Sequence, residues 1–206
     1  MLERVERARD DSNTAIFNDL LLLGEMVTKL VAAGYIAAID DDRDRHRYQK
    51  VYRLVRTDGI GEWAQAIEDT LTGTASQHLI APVREEQREL TQALASGTWQ
   101  YEAVQLLNEC VRLIDPTTEN LPTRVAGRRW FATFARFRNK TRGHGATTGD
   151  KINHLLPLLE RSISLMFEHL SLLKRPWLYL YPNLSGKYRL AKITPAASAL
   201  EMLLLH

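Results

Sequence analysis

The stretch Arg124-Val-Ala-Gly-Arg-Arg-Trp-Phe-Ala-Thr-Phe-Ala-Arg-Phe-Arg-Asn-Lys-Thr-Arg-Gly-His-Gly145 decides how this chain is read. Its apolar residues Val125, Trp130, Phe131, Phe134 and Phe137 recur at helical spacing, and Gly143 and Gly145 can end a helix, so a helix is predicted over about 124–142. The stretch is also cationic. From Asn120 to Gly149 there is no acid, while Arg124, Arg128, Arg129, Arg136, Arg138, Lys140 and Arg142 supply seven bases. The 206 residues hold 27 Lys+Arg and 25 Asp+Glu, net +2, so this one segment concentrates positive charge on a mildly acidic body.

Working outward, the neighbouring segments also carry helical periodicity. Ile16, Leu20, Leu23, Val27, Leu30 and Val31 predict a helix over about 15–38, capped by Ser12, Asn13 or Thr14. Asp40 to Arg47 places acids before bases, which suits the start of a second helix continued by Tyr48, Val51, Tyr52 and Val55. Further helices are predicted over about 62–71, 83–95 with Pro82 as first residue, 99–114, and 150–173, where Pro157 implies a kink or a late start. Trp177–Tyr181 and Lys187–Ile193 read as two strands around a Pro-Asn-Leu-Ser-Gly turn. The expected fold is therefore mainly α: a bundle of six or seven helices with a small C-terminal β-hairpin. A soft boundary near Gly97 suggests an N-terminal helical region 1–97, a helical core 98–175, and a hairpin and tail 176–206, or all three as one compact domain.

Composition removes several classes. With 45% apolar and 25% charged residues the chain is neither a disordered tail nor a collagen-like repeat. The apolar run around Leu20–Leu23 is interrupted by Glu25 and Lys29, short of the ~18 apolar residues of a membrane span, and the charged start gives no signal-peptide core, so no membrane partner is expected. A lone cysteine, Cys110, cannot form an internal disulfide and fits a reducing, cytoplasmic setting.

Familiar motifs fail on their chemistry. Asp40, Asp42 and Asp44 alternate like a calcium loop, but Arg45 and Val51 stand where glycine and glutamate are required. Gly59-Ile-Gly-Glu-Trp-Ala64 spells a dinucleotide fingerprint between helices, without the strand it needs. Gly186-Lys187 lacks the leading glycine and the hydroxyl of a phosphate loop, and the six histidines have no zinc spacing.

What remains is Arg138-Asn-Lys-Thr-Arg-Gly-His144-Gly145. One imidazole beside several guanidinium groups suits metal-free phosphodiester cleavage. Histidine can take or give a proton near neutrality, and arginine grips phosphate oxygens in pairs. Residues six apart on an ideal helix lie about 9 Å apart axially and about 120° apart in rotation, so Gly143 must let the last turn unwind before His144 can join Arg138. The plain reading of the same residues is a helix end with glycine caps, a histidine favoured by the dipole, and a solvated basic face.

Arg138-Asn139 followed by His144, with five residues between, resembles the signature of HEPN domains. The resemblance covers about 99–173. It implies an α-helical bundle with the motif at the end of one long helix. It further implies a metal-independent, cofactor-free endoribonuclease of antiviral defence or toxin–antitoxin type, working as a homodimer, with an antitoxin or sensor partner in some systems. Carried over, His144 is the general base or acid and Arg138 contacts the scissile phosphate. Asn139 bonds substrate or orients His144. Arg128, Arg129, Arg136, Lys140 and Arg142 then bind flanking phosphates of the RNA. Trp130, Phe131, Phe134 and Phe137 exceed what one narrow stripe needs, which predicts some of them at a subunit interface. The runner-up implied by the family is a catalytically silent module that binds RNA or nucleotide, the first part of a longer protein; a third class is a helical adaptor with an incidental basic face.

Overall fold

In the computed structural model, residues 2–40, 43–143, 148–182 and 187–193 are described, with the side chains of 2, 142–143, 179–182 and 188–193 outside that description. The described chain is mainly α-helical, with a small C-terminal hairpin. Eight helices are present among the described residues: α1 Leu2–Arg9, α2 Asn13–Ala37, α3 His46–Arg56, α4 Ile60–Thr72, α5 Arg84–Thr91, α6 Trp99–Ile114, α7 Arg129–Gly143 and α8 Gly149–His169. Short 3-10 turns at Thr74–His78, Ala81–Val83 and Ser171–Lys174 join them.

α2 is the axis of the bundle. Ser12 caps it by accepting a hydrogen bond from the Ala15 amide, which satisfies one of the orphan donors of the first turn. By length and apolarity α2 could cross a membrane, but here it lies among α1, α4, α7 and α8, burying Leu20, Leu21, Leu23, Val27 and Val31. α6 packs on α7 and α8, and α4 closes on α7. One hydrophobic cluster runs from Val5 to Leu172 and draws residues from both sides of Gly97, so the two expected helical regions share a core.

The four aromatic residues of α7 are spent inside the protomer. Trp130, Phe131, Phe134 and Phe137 are all fully buried, which corrects the expectation that some face a subunit interface. Trp130 stacks on Phe134 at 5.1 Å, and its indole N–H donates to Ser162 Oγ of α8, so its polar edge is satisfied within the core. Gly24 explains how α7 comes so near α2: a Cβ there would run into the ring of Phe134.

Other expectations change as well. The helix predicted over 83–95 stops at Thr91, and the one predicted to begin at 124 begins at Arg129. Between these ends lies a second small sheet, β1 Ala93–Ala95 paired antiparallel with β2 Arg124–Ala126. Both segments have acceptable helix formers, but cross-strand pairing outweighs that weak preference. The Arg124 guanidinium adds two bonds to the carbonyl of Ala93, 3.0 and 3.1 Å long. The second helix starts at His46 rather than in the acidic run, and α8 continues through Pro157 instead of starting after it. At the C-terminal end, β3 Trp177–Pro182 pairs with β4 Tyr188–Ile193, as the sequence indicated, and Trp177 rests against Gly34 of α2.

Candidate nucleic-acid interface

α7 carries the basic residues on two opposed faces. At about 100° per residue, Arg138 lies about 160° around the helix from Arg136. Arg129, Arg136 and Lys140 fall on the outer face, and Arg138 falls among the core-facing aromatics. The acid-free run therefore splits into an outer patch and one inward arginine.

The inward arginine has a specific partner. Arg138 Nε donates to Glu25 Oε1 of α2 at 2.6 Å, with side-chain exposures of 29% and 17%. The close approach of Gly24 to Phe134 lies one residue from Glu25 and one helical turn from Arg138. Arg138 Nη1 also reaches Asn139 Oδ1 at 3.4 Å, so the two motif residues touch. A guanidinium has five donors, and Glu25 engages the Nε end of the fork, which fixes the plane in which the remaining donors lie. His144 and Gly145 lie outside the described residues, as does the side chain of Arg142.

On the outer side, α4, the β1–β2 sheet and α7 enclose a groove of about 670 Å³. Arg124, Arg128, Arg129, Arg136 and Asn139 line it, with Gly61, Gln65 and Glu68 on the opposite wall. Asn139 faces this groove, whereas Arg138 does not line it. A smaller recess of about 280 Å³ adjoins it and shares Arg129 and Arg136, so these two arginines stand on the ridge between the cavities.

Acids from other elements hold most of the bases. Arg128 is ion-paired with Glu68 of α4. Asp115, the residue that ends α6, takes Arg136 at 2.9 Å and Lys140 at 2.8 Å. Thr118 Oγ1 accepts a further bond from Arg136. Bonds from Lys140 first, then from Thr117 and Arg136, hold the Asp115 carboxyl well below the usual carboxylate range. Arg129 is exposed and has no carboxylate partner among the described residues.

Sequence reading missed Glu25, Glu68 and Asp115 as members of this site. Glu25 had a signal: it is a charge interrupting the apolar run of α2, and a charge there needs a partner. Asp115 directly follows the helix predicted over 99–114, five residues before the acid-free run, where an acid reads as part of a helix end. Glu68 had no local signal, because only the α4–α7 contact brings it to Arg128. Comparison with known proteins finds no family model, no curated protein and no solved structure that matches this chain.

Proposed function

We propose that this protein is a metal-independent endoribonuclease that binds RNA along the arginine-lined groove and cuts it at the end of α7. The observation that carries the reading is the seating of Arg138 on Glu25 beside Asn139, at the edge of that groove and with five residues between Arg138 and His144. Arg129, Arg128 and Arg136 bind phosphates along the groove, with Lys140 and Arg142 beyond it. The ribose 2′-hydroxyl attacks the adjacent phosphorus while the bond to the 5′-oxygen breaks. His144 takes the proton from the 2′-hydroxyl or gives one to the departing 5′-oxygen. The Arg138 guanidinium holds the phosphoryl oxygens as negative charge grows on them. A homodimer supplies both proton-transfer groups, one His144 from each copy.

A second reading, an RNA-binding module without catalysis, is favoured by the same ion pair, because a guanidinium tied into the α2–α7 seam is also a structural residue. Incubation with end-labelled RNA in EDTA separates the two. The nuclease yields fragments ending in 2′,3′-cyclic phosphate. It is blocked by a 2′-deoxy substitution at the cut site, and His144→Ala slows it by about 10²–10⁴-fold with little change in affinity. A gel shift without cleavage leaves the binding module; neither result leaves the helical adaptor.

A further inference from the structure

α3 presents a surface that the groove does not explain. Only Leu54 of this helix is buried, whereas Tyr48 and Tyr52 are 62% and 49% exposed, with Val51 and Val55 exposed beside them. The two tyrosine rings stack on each other with centroids 5.9 Å apart and planes 20° from parallel. The Arg56 guanidinium continues the stack, 5.4 Å from the centre of the Tyr52 ring, and its Nη1 donates to the Tyr52 hydroxyl at 3.0 Å. Spacing of four residues makes Tyr48, Tyr52 and Arg56 a ladder along one face of the helix.

The charge of α3 itself is of one sign. α3 contains Arg47, Lys50, Arg53 and Arg56 and no acid. Asp44 and Asp58 flank it, and its ion pairs among the described residues run to α4, where Asp69 takes Lys50 and Glu62 takes Arg53. Arg56 stays outward with the rings. Docking of α3 against α3 of a second copy would bring like charges together, so the ladder is poorly suited to self-association. Exposed rings extended by a guanidinium match a different ligand, the planar bases and phosphates of a single strand.

Position favours the same ligand. α4 stands between α3 and α7. Its Glu62 and Asp69 face α3, and Gly61, Gln65 and Glu68 face the groove. A helix is about 10 Å across, or about three nucleotides at the 3.4 Å rise of a stacked strand. We infer that Tyr48, Tyr52 and Arg56 form a base-stacking platform for single-stranded RNA leaving the groove across α4. This rests on the RNA reading above.

The test uses fluorescein-labelled 2′-O-methyl dodecauridine, which has no 2′-hydroxyl to attack, and reads affinity by anisotropy. Replacing Tyr48 and Tyr52 together by alanine is expected to weaken binding at least about tenfold, since each stacked base is worth roughly 5- to 150-fold. The Tyr48→Phe, Tyr52→Phe variant stays within about twofold, because the rings remain. The salt slope is unchanged, because no phosphate contact is lost. Circular dichroism checks that the exposed substitutions leave the helices intact. Equal affinity of wild type and the alanine variant overturns the platform. So does an alanine variant that changes oligomeric state with no change in RNA affinity, which would make the face a protein contact. Binding that depends on the tyrosines, with no cutting of unmodified dodecauridine, removes the nuclease and keeps the platform. No binding by the wild type removes the platform whatever the cleavage assay shows.

Discussion

Breaking the contact between Glu25 and Arg138 tests whether α2 positions the arginine of the proposed site. The contact is short, 2.6 Å, and both side chains are mostly withdrawn from water, at 17% and 29% exposure. Fully exposed pairs couple by only about 0.2–1 kcal/mol, while hydrogen bonds to charged groups are worth about 1.5–3 kcal/mol. A pair at this depth therefore couples by about 1–2 kcal/mol. Glu25→Gln keeps the shape but removes the counter-charge of the guanidinium, and Arg138→Gln removes the ion pair from the other side. Each single variant is expected to lose about 2–3 kcal/mol, and the double variant to lose less than their sum by the coupling energy. Urea unfolding of the four proteins measures this, provided the m-value stays constant across the cycle. Additive losses, with coupling below about 0.3 kcal/mol, would refute the idea that Glu25 holds Arg138 in place.

Asp115→Asn releases Arg136 and Lys140, so RNA binding is expected to tighten and its salt dependence to steepen. Unchanged affinity in a salt titration would show that these bases do not meet phosphate. The carboxyl is depressed in the fold, so its stabilisation is whole above the unfolded carboxylate value of ~3.9 and fades only as pH falls below it towards the lower folded value. The stability gap between wild type and Asp115→Asn should accordingly be flat from neutrality to about pH 4 and shrink below; a gap that changes across pH 5–8 would contradict this. Burial pushes the Cys110 thiol up to about 12, so a disulfide reagent at pH 8 should find it inert in the native protein and fully reactive after unfolding, and rapid native reaction would count against its placement. Gly24→Ala sets a gain of up to about 1 kcal/mol in helix propensity against about 1–3 kcal/mol of overpacking on Phe134, so the melting temperature should fall, and a rise would mean that α2 and α7 can part without cost.

Legibility in the sequence followed how local each cause was. α6 matches its expected span of 99–114 because its apolar stripe lies within it and the Asp115-Pro116 stop directly follows it. α2 was likewise readable from its own periodicity. β1 and β2 were not, because neither segment is a strand on its own terms. Ala93–Ala95 and Arg124–Ala126 become strands by pairing with each other, 31 residues apart at Ala93 and Arg124, and by resting on α6. The aromatics of α7 were misassigned for a related reason. Counted on one narrow stripe they look excessive, but α7 is enclosed by α2, α4 and α6, and an enclosed helix buries a wide arc.

The candidate site shows the same limit in its electrostatics. Read linearly, 120–149 is a block of positive charge free of acids. Folded, that block meets Glu25, Glu68 and Asp115, each from a different helix or helix end, and most of its cations are already partnered. Arg124 and Arg129 are the exposed bases of the block with no carboxylate partner among the described residues, Arg124 bonding instead to the Ala93 carbonyl. In the proposed reading an RNA phosphate entering the groove either meets Arg124 or Arg129 first or competes with carboxylates for Arg128 and Arg136. Competition of that kind makes binding weaker than the count of bases implies, and it gives the acids control over where a strand settles. Because exposed pairs are individually worth little, such exchange is cheap at Arg136 and Lys140 and costly at Arg138, which lies deeper. In the proposed reading the groove is an adjustable phosphate track, and Arg138, held by Glu25 beside it, is the fixed point against which the strand is positioned.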